Sequence, residues 1–325
     1  MSTKIEVLKI LSNNTDKFFS GEEIAKELGI TRAAVSRSIN TLRKSGYNIL
    51  SRTKVGYKLL ETQEVLTDDS VRLHTNTPCK IIVETSMAST NEYLKTVDLS
   101  KEPVCVIAHQ QTAGKGRLGR SFYSPDGTGL YMSIGFKPDF QLSKGMFVTM
   151  ASAVKVAESI EEITDKSIRI KWVNDLFHQG KKVCGILTEA QTNLETGQIQ
   201  GIIIGIGINC FTRNFPHELD QAGALSETPG QFSMAQLAGS IIDKILSIDT
   251  ENDSNQLLSS YRRRCFILGK PILVRPLSDH PPIKAKAIDI DDNGGLIVEY
   301  MEGRHMREIH TLRSGEVSVI ADHML

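Results

Sequence analysis

Residues 111–120, Gln-Thr-Ala-Gly-Lys-Gly-Arg-Leu-Gly-Arg, crowd three glycines and three cations into one short segment after a strand-like run at 104–109. The glycines match G-x-G-x-x-G at Gly114, Gly116 and Gly119. A dinucleotide fold needs a helix directly after such glycines, so that a pyrophosphate rests on its N-terminus. The residues that follow, Ser-Phe-Tyr-Ser-Pro-Asp-Gly-Thr-Gly at 121–129, cannot form that helix. The kinase version lacks its H-R-D and D-F-G companions, and no G-x-x-x-x-G-K-[ST] occurs. All three familiar glycine-loop patterns are therefore excluded. What is left is a loop whose backbone N–H groups can close on a ligand while Lys115, Arg117 and Arg120 neutralise it. Such a loop suits a phosphate or a carboxylate, with a merely flexible surface loop as the plain alternative.

At 325 residues the chain is long enough for two or three domains. Its five cysteines (Cys79, Cys105, Cys184, Cys210, Cys265) are scattered and form no C-x-x-C pair. That spacing speaks against a disulfide framework or zinc ribbon and for a reducing compartment. The eight histidines show no close metal spacing and read as incidental. The longest apolar run, 202–208, is broken by Gly205 and Gly207 and is too short for a bilayer span, so a cytoplasmic protein without membrane contact is expected.

The formal net charge is zero, but it is unevenly distributed. Residues 1–60 carry eleven Lys/Arg against five Asp/Glu, so this block stands at +6 and the remainder at −6. A basic block on an acidic protein points to a polyanion partner for that block alone. Its pattern is helical at 4–11. Ser20-Gly-Glu-Glu23 is a capping box that opens a helix over Gly21–Leu28 and ends at Gly29. Thr31 caps a third helix that keeps Val35, Ile39 and Leu42 on one face. Two helices joined by a short turn containing glycine form the helix-turn-helix pattern. The segment 48–60 alternates like a hairpin wing. Arg32, Ser36, Arg37, Asn40 and Arg43 on the third helix, with Arg52 and Lys54 at the wing tip, are the expected DNA contacts, Ser36, Arg37 and Asn40 being the base readers. A helical packing module with a solvated basic face is the alternative. Residues 61–70 are polar, lack periodicity and read as a linker.

The central segment supplies further polar groups at strand ends. A strand at 80–84 leads into small hydroxyl and amide side chains ending in Ser89-Thr-Asn91, which on their own make a good helix N-cap for a helix at 92–97. A strand at 130–136 and a helix over Gly145–Thr164 follow. Next come Lys171-Trp-Val-Asn-Asp175 at the end of a strand from 168, a strand at 181–189 with Lys182 and Gly185, and a strand at 202–209 with Gly205 and Gly207. Alternating glycine in a strand means that something approaches its backbone closely. From 268 onward short β pieces recur, with Asp291-Asp-Asn-Gly-Gly295 as a hairpin turn between 284–290 and 296–300.

Ser89-Thr-Asn91, the 111–120 loop, Lys171-Trp-Val-Asn-Asp175, Lys182-Val-Cys-Gly-Ile-Leu187 and Gly205-Ile-Gly-Ile-Asn209 stand in the order and spacing of biotin–protein ligases. With the N-terminal module, nearly the whole chain resembles the bifunctional ligases that also repress biotin operons. The resemblance implies an α/β (α+β) protein in three parts. These are a winged helix-turn-helix at 1–62, a mixed-sheet, class II synthetase-like ligase domain at 63–268 and a small SH3-like β-barrel at 269–325. It also implies roles for particular residues. Ser89, Thr90, Asn91, Gln111, Lys115, Gly116, Arg117, Lys182, Gly185 and Gly205 would bind biotin. Arg117, Arg120, Lys171, Asn174, Asp175, Lys182 and Asn209 would bind ATP and the adenylate, the 211–225 loop covering the adenine. Lys182, Arg117 and Arg120 would carry the chemistry, and Asp175 would hold Mg²⁺. Two positions depart from the family: Val173 stands where a proline is usual, and Lys115 where an arginine is common, which keeps the charge but loses the bidentate fork.

The implied reaction joins biotin to ATP as biotinyl-5′-AMP and then to a lysine of a biotin carboxyl carrier protein. Biotin is thus both substrate and corepressor precursor, and an adenylate-promoted homodimer would read operator DNA. A non-catalytic, biotin-sensing regulator and a lipoate or other acyl ligase are the competing readings.

Overall fold

The computed structural model describes residues 2–13, 15–60, 66–138, 144–192, 199–275, 281–303, 305–313 and 316–319, with backbone alone for residues 192, 199, 316 and 319. The chain packs as two compact units, Met1–Asn76 with Ser233–Gly239, and Thr77–Phe232 with Ser240–Leu325.

In the first unit α1 (Thr3–Ser12), α2 (Gly21–Leu28) and α3 (Arg32–Lys44) bury Val7, Leu8, Leu11, Ile24, Val35, Ile39 and Leu42 against one another. The expected capping box is formed. Ser20 N donates to Glu23 Oε2 at 2.7 Å, and Glu23 N donates to Ser20 Oγ at 3.0 Å. Gly29 leaves α2 in the left-handed region at φ 65°, where a Cβ is disfavoured. Thr31 Oγ1 accepts from Ala34 N at 3.2 Å and opens α3. The wing is the hairpin β1 (Ile49–Arg52) and β2 (Gly56–Leu59), paired antiparallel with Arg52 opposite Gly56.

One expectation fails here. Of the proposed linker 61–70, residues 61–65 lie outside the described residues, but Thr67 caps a helix, α4 (Asp68–Leu73). Thr67 Oγ1 accepts from Ser70 N at 3.2 Å, Leu66 and Val71 are buried, and Asp69 pairs with Lys4 of α1. Polar composition hid the helix because two of its polar residues, Asp69 and Ser70, point inward.

The second unit is built on a seven-stranded sheet in the order β3-β4-β5-β9-β8-β7-β6. Its strands are β3 (Lys80–Met87), β4 (Val104–Gln111), β5 (Gly129–Phe136), β6 (Arg169–Lys171), β7 (Asp175–His178), β8 (Lys181–Thr192) and β9 (Ile199–Asn209). Only β3 and β4 run parallel. Between β3 and β4 lies α5 (Thr90–Leu94), which starts earlier than the expected 92–97 because Ser89, not a later residue, caps it. Helix α6 (Gly145–Thr164) buries Met150, Ala151, Val154, Ala157 and Ile160. After α7 (Met234–Leu246) and α8 (Ser254–Arg264) comes an antiparallel five-stranded sheet in the order β13-β12-β11-β10-β14. It comprises β10 (Pro271–Arg275), β11 (Ile283–Ile290), β12 (Leu296–Tyr300), β13 (Ile309–Leu312) and β14 (Glu316–Val319). The Asp291–Gly295 turn is present, with Asp291 Oδ1 accepting from Asn293 N and Gly295 N at 2.9 and 2.7 Å. Among the described residues β13 and β14 are the edges of an open order, so the expected barrel is not closed by these pairings.

Candidate active site

A cleft of about 540 Å³ opens in the second unit over the ends of β4, β8 and β9. That volume suits a drug-sized ligand. Its lining gathers Ser89, Thr90, Asn91, Gln111, Lys115, Gly116, Arg117, Arg120, Lys171, Asn174, Asp175, Lys182, Gly185, Gly205 and Asn209, which are all the expected small-molecule contacts.

One end of the cleft is a buried polar cluster. Gln111 Oε1 accepts from Thr90 N and Thr90 Oγ1 at 2.9 and 3.1 Å, while Gln111 Nε2 donates to Ser124 Oγ at 3.1 Å. Ser133, fully buried on β5, is hydrogen-bonded to Thr90 Oγ1 at 2.6 Å and to Asn91 Oδ1 at 2.5 Å. Asn91 Nδ2 donates to Glu189 Oε2 at 2.8 Å. The β9 glycines make room for this cluster. A Cβ at Gly205 would lie 2.2 Å from Asn91 Oδ1, and one at Gly207 would lie 2.5 Å from the Phe122 ring. What approaches these glycines is thus the protein's own carboxamide and aromatic ring.

The glycine loop is tied back at several points. Phe122 N donates to Gly114 O at 2.8 Å and Gly116 N to Arg120 O at 2.7 Å. Gly119 adopts φ 73°, and Leu118 adopts φ 56° with its side chain exposed. Lys115 Nζ sits 2.8 Å from Glu92 Oε1 at the start of α5, and Lys95 Nζ bridges Glu92 and Glu189 at 2.7 and 2.8 Å. Hydrogen bonds from Lys115 and then Lys95 hold the Glu92 carboxyl below the usual carboxylate range. Partial burial opposes the charge on Lys95, yet its bonds to Glu189 and Glu92 raise it. The chain of ion pairs therefore connects loop residue 115 to the Asn91 carboxamide.

The other end is cationic. Lys182 Nζ lies 2.6 Å from Asp175 Oδ1, with both side chains partly open to solvent. Arg117 Nη1 donates to Asn174 Oδ1 at 3.2 Å, and Asn174 Nδ2 donates to Ile186 O at 2.5 Å. The strand from 168 does not simply end in polar groups as expected. It turns through a cis Trp172–Val173 peptide and returns as β7, with Lys171 opposite Asp175. Trp172 Nε1 donates to Gly294 O at 3.0 Å and the buried Tyr261 hydroxyl to Val173 O at 3.1 Å, so the turn is fixed from two sides. Asn209 Nδ2 donates to Gly223 O at 3.0 Å, while its buried Oδ1 has no protein partner. Arg120 lines the cleft with an exposed side chain.

Sequence reasoning missed Ser133, Glu189, Phe122 and Tyr261. Gly207 was the one signal for Phe122, because a strand glycine asks what stands opposite. In the N-terminal unit, Arg32, Arg37, Asn40, Arg52 and Lys54 are exposed and Ser36 is half-buried. Arg43 is exposed as well and in addition makes a structural contact. Its guanidinium bonds Ile49 O through Nε and Nη2 at 3.0 and 2.6 Å and Ser51 Oγ at 2.5 Å, which fastens α3 to the wing.

The fold and cleft define a helix-turn-helix module joined to an acyl-ligase scaffold. Family models agree: an HTH domain matches residues 3–58, the biotin/lipoate A/B protein ligase family 83–209, and the biotin protein ligase C terminal domain 267–319. The chain is 32% identical to the bifunctional ligase/repressor BirA of Bacillus subtilis, over 92% of this chain and 94% of that protein. It is 28% identical to BirA of Escherichia coli, over 91% and 92% respectively. It also superimposes on the Aquifex aeolicus biotin protein ligase solved with biotin and ATP. That match has a TM-score of 0.60 at 27% identity and covers 74% of this chain and 98% of that one. The chain belongs to the bifunctional ligase/repressor family. Among the described residues no helix is long and apolar enough to cross a membrane.

Proposed function

We propose that this protein makes biotinyl-5′-AMP from biotin and ATP and transfers the biotinyl group to a lysine of a biotin carboxyl carrier protein. The observation that carries the reading is the polarity of one cleft: a buried hydroxyl and carboxamide cluster at one end, Lys182 and Arg117 at the other. Ser89, Thr90, Asn91 and Gln111 supply donors and acceptors of the kind a ureido ring needs, and Gly185 and Gly205 line the same cleft, Gly205 leaving the space that the Asn91 carboxamide occupies. Lys115 and Gly116 close over it from the loop.

In the first step a biotin carboxylate oxygen attacks the α-phosphorus and pyrophosphate leaves. In the second the acceptor amine attacks the acyl carbon, loses a proton, and AMP leaves. Carboxylate and triphosphate repel each other, so the residues that matter are cations already in position. Lys182, Arg117 and Arg120 oppose the developing charge, and Lys171 and Asn174 complete that wall. The unpartnered Asn209 Oδ1 is an acceptor suited to an adenine amino group. No side-chain nucleophile is required.

Mg²⁺ fits as a substrate-borne ion. Asp175 offers a carboxylate at the cationic end, and among the described residues no three His, Cys or carboxylate ligands converge in the cleft. Magnesium held by one carboxylate with phosphates and waters needs nothing more. Its contribution when bound would be to neutralise phosphate charge.

The exposed Arg37 and Asn40 and the half-buried Ser36 support operator binding, with Arg32, Arg52 and Lys54 on phosphates. A homodimer formed on adenylate binding would present two such units, making the protein a repressor in the cytoplasm. The five buried free thiols suit a reducing compartment. The functional division at 1–62, 63–268 and 269–325 and an SH3-like character for the last part belong to the same reading.

Biotin-dependent ATP–pyrophosphate exchange tests the function. Robust exchange with biotin and none with lipoate is expected, together with a loss of about 10²–10³-fold in Lys182→Ala. Absence of exchange in the wild-type protein would leave the non-catalytic, biotin-sensing regulator standing. Exchange with lipoate alone would reassign the substrate.

A further inference from the structure

We propose that His305, Glu308 and His310 form a binding site for a zinc-type divalent ion at the turn between β12 and β13. One ligand atom from each of the three lies within 4.8 Å of the others. His305 Nδ1 stands 2.8 Å and His310 Nε2 3.0 Å from the same carboxylate oxygen, Glu308 Oε2. None of the three lines the active-site cleft.

The backbone explains the convergence. Arg307 N donates to Tyr300 O at 2.8 Å, Tyr300 N to Glu308 O at 3.1 Å, and Glu308 N to His305 O at 2.9 Å. Arg307 turns the chain at φ 70°. Glu308 and His310 are two positions apart in extended chain and so share a face, and the turn brings His305 back to that face. The Tyr300 ring lies 5.1 Å from His310 and 6.4 Å from His305, walling one side. The two imidazoles are nearly perpendicular, with centroids 5.5 Å apart.

Two imidazoles and one carboxylate are a donor set for zinc, and the absence of thiolate argues against a soft monovalent ion. Ligand atoms around a tetrahedral ion with bonds of about 2.0 Å stand roughly 3.3 Å apart. The two contacts to Glu308 Oε2, at 2.8 and 3.0 Å, with all three ligand atoms within 4.8 Å of one another, are close to this spacing. Half-exposure of both rings leaves the fourth position to water. Without metal the cluster holds together as a carboxylate between two imidazoles, and hydrogen bonds from His310 and then His305 keep the Glu308 carboxyl below its usual range. A bound metal ion would pin the turn to β13.

The test uses the full, tag-free, chelator-washed protein, titrated with Zn²⁺ in a calorimeter about one unit above an ordinary histidine pKa of ~6.5. Co²⁺ absorption serves as a second readout. One ion is expected in the wild type. His305→Ala and His310→Ala should each lose it, and Glu308→Gln should weaken it about tenfold or more. All three variants should keep normal circular dichroism and biotin-dependent exchange. No uptake by the wild type at micromolar Zn²⁺ would overturn the proposal. So would uptake and a Co²⁺ spectrum unchanged in the His305→Ala/His310→Ala double variant, because the cluster would then be an ion pair and nothing more.

Discussion

Asn91 donates from Nδ2 to Glu189 Oε2 at 2.8 Å, across 98 positions of sequence. Ser133 bonds its Oδ1 at the same time, so the carboxamide is held from both ends in one orientation. Removing one partner strands a polar group, which costs about 1–3 kcal/mol. Glu189→Ala should therefore lower stability by that order and raise the KM for biotin about tenfold, with kcat little changed. Steady-state kinetics with a denaturation curve checks it, and an unchanged KM would show that Asn91 orients itself without help.

Gly205 faces that carboxamide from the opposite side, where a Cβ would come within 2.2 Å of Asn91 Oδ1. Gly205→Ala should displace Asn91 and cost about 1–3 kcal/mol as an overpacking change. Calorimetry should find biotin binding weakened at least tenfold in protein of normal circular dichroism. Binding equal to the wild type would mean that the strand itself yields.

Two of the three arginines of α3, Arg37 and Arg43, should separate. Arg37 is exposed. Arg37→Ala should weaken DNA binding and leave pyrophosphate exchange intact, and if it reads only phosphate the salt slope should fall by about one. Arg43 instead fastens the wing through Ile49 O and Ser51 Oγ. Arg43→Ala should lower the melting temperature of the N-terminal unit. Parallel loss of exchange in Arg37→Ala would contradict independent modules.

Burial pushes the Cys265 thiol up to about 12 and raises Cys184 still further. Above an ordinary thiol pKa of about 8.5 the unfolded chain binds fewer protons than the folded one. Stability from these thiols is thus fully present below that value and is lost as pH rises toward the folded values. Iodoacetamide at mildly alkaline pH should leave the native protein unmodified and label five cysteines after denaturation. Rapid labelling of native Cys184 or Cys265, read by peptide mass spectrometry, would show that the core opens.

Much of the N-terminal unit was legible because its signals are local. Ser20 and Glu23 are three residues apart, and their capping bonds need no distant partner. Where the same local logic met inward-facing polar residues, as at Asp69 and Ser70 of α4, it read a helix as linker. The cleft was legible as a set of residue types and spacings, since each motif sits at the end of a strand. Its wiring was not. Glu189 carries no local mark that separates it from a solvated carboxylate, and Ser133 looks like any small strand residue. The histidines at 305 and 310 seemed unrelated until a turn set both against Glu308.

The amino-acid sequence alone determined the glycine loop at 111–120, its exclusion from a dinucleotide fold, and the segregation of basic charge into the first sixty residues. These depend on neighbours along the chain and on composition. Tertiary structure decided which charges stand alone and which are paired: Lys115 with Glu92, Lys182 with Asp175, Arg117 with Asn174. Such pairs form only when the folded sheet brings the loops and strand ends that carry them together, and the register of that sheet is chosen by burial of Ile203, Ile204, Ile206 and their neighbours rather than by the polar residues themselves.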